Sequence, residues 1–336
     1  MKVSVLDQTI LQEGQTPEEA FRQTVENAQF VDELGYSRYW VSEHHSTDAL
    51  GGSSPEALVG YLAAKTNRIR VGSGGVMLAH YSAYKVAETF RVLSALAPGR
   101  IDLGVGRAPG GVPLSTRALQ DLQYRDPDTF PDQLKELLQY LKDILPHTHP
   151  LQGLMTTPRI DAGSKPDVWL LGTSPFSGEL AGRLGLPYAF AHFSPHQTPH
   201  MKNSVERYYA SFQPGELRSE PYFMPTFRVV VADTDEEAAH IAGSALHFNY
   251  FLNRGRVVRM VPPEALSRLS LTPEEKQEME DIKDIYVMGS PDTVRMKLKE
   301  LQAVYHFEEM MALQMIPDIQ QRRRSYKLLK EVADSI

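Results

Sequence analysis

The sequence predicts an α/β fold in which eight strand–helix units close into a (β/α)8 TIM barrel, with a helical insertion after the seventh strand. Three observations carry this expectation. Short runs of β-forming residues alternate with longer runs of helical period, the pattern of a parallel sheet covered by helices. Eight such units within 336 residues favour a closed barrel over an open doubly wound sheet. The strand runs themselves are mostly apolar, as burial on both faces requires. No repeat and no linker interrupts the alternation, so residues 1–336 are expected to form one domain, with the insertion at about 234–288.

The first strand is Val3-Ser4-Val5-Leu6, and a helix follows from Pro17 with Thr16 as its N-cap. The apolar residues Phe21, Val25, Ala28, Phe30, Val31 and Leu34 share one face of that helix, and Gly35 ends it. Tyr39-Trp40-Val41 is the second strand, followed by a helix over 55–65 capped by Ser54. The third strand runs from Ile69 to about Met77, and its helix over 83–96 stops at Pro98-Gly99. Ile101 to Val105 forms the fourth strand, and 127–145 is helical with Leu134, Leu137, Leu138 and Leu141 in register. Residues 146–166 read as a long loop or short hairpin. Strands five and six are Val168 to Leu171 and Tyr188-Ala189-Phe190, with helices near 176–184 and 200–211. Phe227 to Val231 is strand seven. A mostly helical stretch of about 55 residues precedes Gly289-Ser290-Pro291, which opens another helix. Glu308 to Gln314 is strand eight, and a helix over 319–332 closes the chain.

A composition of 42% hydrophobic and 23% charged residues is that of an ordinary globular enzyme. The net charge of -7 argues against nucleic acid or an anionic membrane as partner, since phosphates call for clustered Lys and Arg. The one dense basic run, Arg322-Arg323-Arg324, reads as a solvated helix face. With no cysteine, disulfides, thiolate metal sites and cysteine nucleophiles are excluded. The N-terminal apolar run is too short for a signal peptide, and no stretch approaches the roughly 20 apolar residues of a membrane span. A cytoplasmic protein is expected.

Barrels of this kind place their chemistry in the loops after the strands. That rule selects Asp7-Gln8, Glu43-His44-His45, Ser73-Gly74-Gly75, His80, the run from Gly104 to Gly111, Gly172-Thr173-Ser174 with Ser177, His192 and Asp318. A Gly172-Thr173-Ser174 turn entering a helix suits a phosphate, because helix N-termini present N–H groups and a favourable dipole. The same residues also cap helices with no ligand. Arg107 is either a second clamp on that phosphate or a surface ion pair. Ser73-Gly74-Gly75 either admits a planar ligand close to the backbone or makes a bulge. Gly104-Val105-Gly106 is rejected as a dinucleotide fingerprint, since Pro109 takes the last glycine's place. His44 and His45 should diverge, so at most one faces the mouth, and Glu43 either orients a ring or pairs elsewhere.

These stretches together resemble the luciferase-like flavin monooxygenases. The resemblance rests on Leu6-Asp7-Gln8, Glu43-His44-His45, Val71 through Val76, Pro98 through Gly110, Gly289-Ser290-Pro291 and residues 318–329. It implies a barrel that uses reduced FMN, delivered by a separate flavin reductase, with dioxygen as co-substrate and a homodimeric assembly. It places the flavin ring at Ser73, Gly74 and Gly75, with a non-prolyl cis peptide between Gly74 and Gly75. It places the FMN phosphate at Arg107, Gly172, Thr173, Ser174 and Ser177. His44 takes the role of catalytic acid or base, with Glu43 beside it. Tyr81, His192 and Phe193 are assigned to the substrate side, and the insertion to a partly mobile lid.

Three departures qualify the resemblance. No cysteine stands near Gly106, where luciferases proper carry one. Light emission, which rests on two different subunits, is not implied. Tyr81-Ser82-Ala83-Tyr84 replaces a proline-containing stretch common in relatives. The competing readings are a hydride-transfer oxidoreductase using FMN or a deazaflavin on the same barrel, a flavin-binding protein without turnover, and a metal-dependent barrel hydrolase built on His44, His45, His192 and Asp318. The last is disfavoured because adjacent histidines chelate one metal poorly.

Overall fold

The computed structural model describes residues 1–215, 217–269 and 271–336; Ser270, within the expected insertion, lies outside them. Strands and helices alternate as β1 (Lys2–Asp7), α1 (Pro17–Glu33), β2 (Arg38–Val41), α2 (Pro55–Lys65), β3 (Arg70–Met77), α3 (Ala83–Leu96), β4 (Ile101–Gly106), α4 (Pro113–Leu119), α5 (Phe130–Lys142), β5 (Asp167–Gly172), α6 (Pro175–Arg183), β6 (Tyr188–Ala191) and α7 (Thr198–Ser211). They continue as β7 (Phe223–Val231), α8 (Asp235–Leu252), α9 (Pro263–Leu266), α10 (Pro273–Lys283), β8 (Tyr286–Gly289), α11 (Pro291–Tyr305), β9 (Glu309–Leu313) and α12 (Ile319–Asp334). Strands β1 to β7 follow one another in parallel around the barrel, and β9 closes it between β7 and β1. The expected (β/α)8 barrel is therefore present.

Two of its strands differ from the expectation. Strand β7 begins at Phe223 rather than Phe227, running through Pro225, a residue that in sequence reads as a strand breaker. An additional strand, β8, occupies the end of the stretch expected to be helical. It pairs Tyr286 to Gly289 with Arg228 to Val231, beginning where β9 ends its pairing with Thr226 to Arg228. Four residues between helices give too little periodicity to mark a strand. Among the loop and hairpin alternatives for residues 146–166, the structure has the loop, with turns and one 3-10 turn at Ala162–Ser164.

Local chemistry sets the element ends. Thr16 caps α1 reciprocally: its hydroxyl accepts from Glu19 N–H, while the Glu19 carboxylate accepts from Thr16 N–H. The outer faces of the strands bury Val5, Tyr39, Val41, Val71, Leu103 and Leu170 with helix residues such as Leu62, Phe90 and Leu137. Inside the barrel Leu6, Trp40, Trp169, Ala189, Met224 and Met311 form a separate cluster, with the two indoles edge to face at 5.3 Å. A third cluster joins Ile241, Ala245 and Phe248 of α8 to Leu50, Leu313 and Met315, so the insertion packs over one side of the strands' carboxyl ends.

The amino end of the barrel is closed by charge. Asp102 accepts from Arg38 Nη1 at 2.7 Å, Arg70 Nε at 2.7 Å and Trp40 Nε1 at 2.8 Å. Glu309 accepts from Arg38 Nε at 3.0 Å, Tyr222 at 2.6 Å and Ser4 at 2.5 Å. Asp167 pairs with Arg218 at 3.0 Å. Burial disfavours the Arg38 cation, yet Asp102, Glu309 and Asp167 outweigh it and hold its pKa above the ordinary value.

Candidate active site

At the opposite, carboxyl end, β2 runs out into Ser42-Glu43-His44-His45. Glu43 is fully buried, and its carboxylate accepts three hydrogen bonds: from Met77 N–H at 2.9 Å, the Tyr81 hydroxyl at 2.7 Å and His45 Nε2 at 2.8 Å. The period of two that continues the strand puts Glu43 and His45 on one side and Ser42 and His44 on the other. The two histidines do diverge: His44 Nδ1 lies 3.0 Å from the Ser42 hydroxyl. The half-buried His44 has no partner for Nε2 among the described residues. Burial, followed by the neighbouring His45, pushes the His44 pKa down to about 4, so its ring is neutral at pH 7. Glu43 thus orients His45 and Tyr81 rather than His44. Tyr81 titrates above its usual range, through burial first and its bond to Glu43 second. His80, buried next to this group, meets the Pro109 carbonyl through Nε2 at 2.8 Å.

Along the adjacent strand β3, the register against β4 slips between Ser73 and Val76, which is the bulge that the glycines allow. The Gly74–Gly75 bond is cis. Neither residue has room for a side chain. A Cβ on Gly74 would sit 2.7 Å from Leu6 Cδ1, and one on Gly75 would sit 2.8 Å from the Gly104 carbonyl oxygen. The Ser73 side chain is turned away into the wall, donating to the Gly104 carbonyl at 2.9 Å.

The strand β5 to α6 junction carries the hydroxyl cluster. Ser174 caps α6, accepting from Ser177 N–H, and the Ser177 hydroxyl returns to the Ser174 carbonyl at 2.7 Å and reaches Tyr188 Oη at 3.0 Å. Gly172 leaves the space that Ser177 fills, since a Cβ there would fall 2.2 Å from Ser177 Oγ. Thr173 is exposed. Burial carries Tyr188 up to about 12, against the opposing bonds to Ser177 and Ser204, so it remains a neutral donor. Arg107, on the loop after β4, holds its guanidinium 5.6 Å from the ring centroid of Phe176 in the first turn of α6. Its ion pair with Asp128 is long, at 3.7 Å, and both side chains are exposed. The cap and the arginine are therefore together at one corner of the mouth.

The residues assigned to the substrate side part company. Tyr81 is bound to Glu43. Phe193 packs on the cluster inside the barrel. His192 is buried with Nε2 on the Thr198 hydroxyl at 2.8 Å and its ring 6.0 Å from Phe227. Its pKa falls to about 4 through burial, with Arg228 and Lys297 adding to the effect. Asp318 caps α12, accepting from Gln321 N–H. Among the described residues, no group of three or more His, Asp or Glu side chains is placed to hold a metal, and no helix is long and apolar enough to cross a membrane. Arg228, a charge amid the apolar run Phe227-Arg228-Val229, is a further buried polar residue near this end that the strand-end rule does not select.

The sequence pattern of the luciferase-like monooxygenases matches residues 1–305. The chain belongs to that family. This luciferase-like monooxygenase is 43% identical over 333 residues to the protein YwcH of Bacillus subtilis (strain 168), covering 98% of each chain. It is 39% identical over 332 residues to the N-acetyl-S-alkylcysteine monooxygenase of the same organism, again over 98% of each. Among solved structures, apo-MsnO8 superposes with a TM-score of 0.89 at 37% identity, covering 99% of this chain and 98% of that one. The fold also extends to the FMN complex of the oxygenating constituent of 3,6-diketocamphane monooxygenase from Pseudomonas putida, with TM-score 0.72, 19% identity and coverage of 100% and 98%. It extends further to an F420-dependent secondary alcohol dehydrogenase, with TM-score 0.68, 16% identity and coverage of 98% and 97%.

Proposed function

We propose that this luciferase-like monooxygenase uses reduced FMN, delivered by a separate reductase, and dioxygen to oxygenate a small organic substrate. The observation that carries the reading is the convergence of Arg107 with the first turn of α6, where Ser174 caps the helix and Phe176 faces the guanidinium. A cation, hydroxyl donors and a helix N-terminus form the donor set that a phosphate monoester requires. Gly74 and Gly75 pack tightly against Leu6, Trp40 and Gly104, which fixes this stretch of β3 as a wall of backbone on which a flat ring could rest.

In this reading Arg107, Thr173, Ser174 and Ser177 hold the phosphate, and Gly74 and Gly75 line the ring. Bound reduced FMN supplies the activation of dioxygen. His44, neutral at pH 7 with Nε2 unpaired, accepts a proton at that atom or passes one on, while Ser42 fixes the ring. Glu43 acts on the site by holding Tyr81, His45 and the Met77 backbone in place. The relative that acts on N-acetyl-S-alkylcysteines makes small N-acylated thioethers the first substrates to try.

The test is to titrate the protein with FMN, riboflavin and a deazaflavin, and then to follow dioxygen uptake with chemically reduced FMN. Tighter binding of FMN than of riboflavin, together with substrate-dependent dioxygen uptake, is the expected result. Anaerobic turnover with a reduced deazaflavin and none with reduced FMN in air would replace this reading with hydride transfer.

A further inference from the structure

Strand β7 directs alternate residues into the barrel, and Met224 belongs to the cluster inside it, so Thr226 and Arg228 share the inward side. Arg228 stands on the carboxyl half of that strand, only 4% exposed. Around it are Phe193 from the end of β6, Tyr286 from β8 and Met315 just after β9, with the guanidinium 5.2 Å from the Phe193 ring centroid and 5.8 Å from that of Tyr286. Phe193 also packs on the cluster of Leu6 and Trp40, against which Gly74 rests. Arg228 thus borders the same barrel mouth as the proposed flavin face.

Its partners do not match its charge. Nη1 donates to the Met315 thioether at 2.9 Å and Nη2 to the Phe193 carbonyl at a long 3.4 Å, while buried Nε has no partner. Thioether sulfur is a weak acceptor. The Tyr286 hydroxyl, a neutral partner, hydrogen-bonds Arg228 and also accepts from Asn249 at 2.6 Å, and the Asn249 side-chain amide oxygen is buried without a partner of its own. No carboxylate among the described residues forms an ion pair with Arg228, and burial lowers its pKa. Two of the other three buried arginines have a counter-charge. Arg38 meets Asp102 and Glu309, and Arg91 donates to the carbonyls of Thr156, Tyr140 and Leu141 and pairs with Asp143 at 2.7 Å. Arg322, donating through Nε to the Ile316 carbonyl at 2.7 Å, also forms no ion pair among the described residues, and Arg91 Nε is buried without a partner as Arg228 Nε is. A buried cation without a counter-charge is costly, and an anion brought against it recovers that cost.

We propose that Arg228 is the recognition point for a carboxylate on the organic substrate, so that the substrate class of this enzyme is small organic acids bound as their anions. The inference rests on the preceding reading of the barrel mouth as the site of oxygenation. A planar guanidinium with an unused Nε–H meets a carboxylate in a forked geometry. Phe193 and Tyr286 give the apolar walls against which the rest of such a molecule lies. Recognition at this point would fix the acid group on β7 while the remainder of the substrate extends toward β2 and β3.

The experiment measures binding of N-acetyl-S-methylcysteine, hexanoate and phenylacetate, each beside its methyl ester, by calorimetry at fixed pH and ionic strength with FMN present. At least one acid is expected to bind about tenfold or more tightly than its ester, a preference that a charge-assisted bond supports. In Arg228→Met the acid and its ester bind alike, while Arg228→Lys retains part of the preference. Should Arg228→Met fail to fold, the wild-type pair and the lysine variant decide. Acids that bind no better than their esters to the wild-type chain, or a preference that survives in Arg228→Met, overturn the proposal. Failure of the wild-type chain to bind FMN at all would overturn the earlier reading instead, and the FMN titration reports that separately.

Discussion

The two ends of the barrel handle buried charge in opposite ways. At the amino end Arg38, Arg70 and Arg218 face Asp102, Asp167 and Glu309, so that each cation has a carboxylate, although Arg218 Nε is buried without a partner. At the carboxyl end Arg228 is buried among rings, a sulfur and a carbonyl, and His192 Nδ1, His247 Nδ1 and the Asn249 side-chain amide oxygen are buried without partners. Strand direction explains the division. One end carries charges at the first or second residue of β2, β3, β4, β5 and β9, close enough to neutralise one another. The other end opens into loops of glycine and polar residues. A charge-paired end stabilises the fold, and an end with an unpaired charge keeps capacity for ligands.

Removing a carboxylate from the charge-paired end should have the largest effect. Asp102→Ala leaves Arg70 without a carboxylate, Arg38 with Glu309 as its close counter-charge and the Trp40 indole without its acceptor, and a loss of about 3–5 kcal/mol is expected in urea unfolding. A loss under 1 kcal/mol would show that the amino-end network is not what closes the barrel. At the open end, Arg107→Ala should weaken FMN about tenfold, with riboflavin unaffected, because the lost partner is the phosphate. Equal weakening of both flavins would assign Arg107 to the ring or to general structure.

The acid limb of stability sharpens the contrast further. The folded pKa of His44, about 4, lies below the ordinary histidine value of 6.5, so the unfolded chain takes up the proton first. Its contribution to stability is complete above pH 6.5 and is lost as pH falls toward 4. His44→Gln should therefore flatten the pH dependence of unfolding in that window, while an unchanged slope would contradict the burial of its ring. The smallest effect is expected for Arg228→Met, which removes a cation that has no counter-charge. Thermal unfolding without ligand should show stability held or slightly raised, in contrast to Asp102→Ala. A marked loss would mean that the ring and sulfur contacts of Arg228 satisfy it in the free protein.

Much of this was legible in the sequence because alternation of apolar strands and amphipathic helices needs no long-range information. The eight barrel strands, the Thr16 cap and the carboxyl-end loops followed from it. Strand β8 did not, because Tyr286-Val287-Met288-Gly289 becomes a strand only through its pairing with β7. The divergence of His44 and His45 was readable from strand period. The same period would have paired Glu43 with His45, whereas the bonds to Tyr81 and Met77 join segments more than 30 residues apart. The amino-end network was written in the strand starts, where Arg38, Arg70, Asp102 and Glu309 stand as charges inside apolar runs. Their mutual pairing required the barrel to close.

The excursion between β7 and β9 has a mechanical side. Its far end is stitched into the sheet by β8, and Met260 exchanges backbone hydrogen bonds with Leu11 and Glu13 after β1, while Arg259 grips Asp48 on the loop after β2. A flap held at three separate strands cannot swing away as a single door. Traffic to and from the interior would have to pass along its margins, where short loops yield while α8 stays seated, so exchange of substrate need not uncover the apolar underside of that helix.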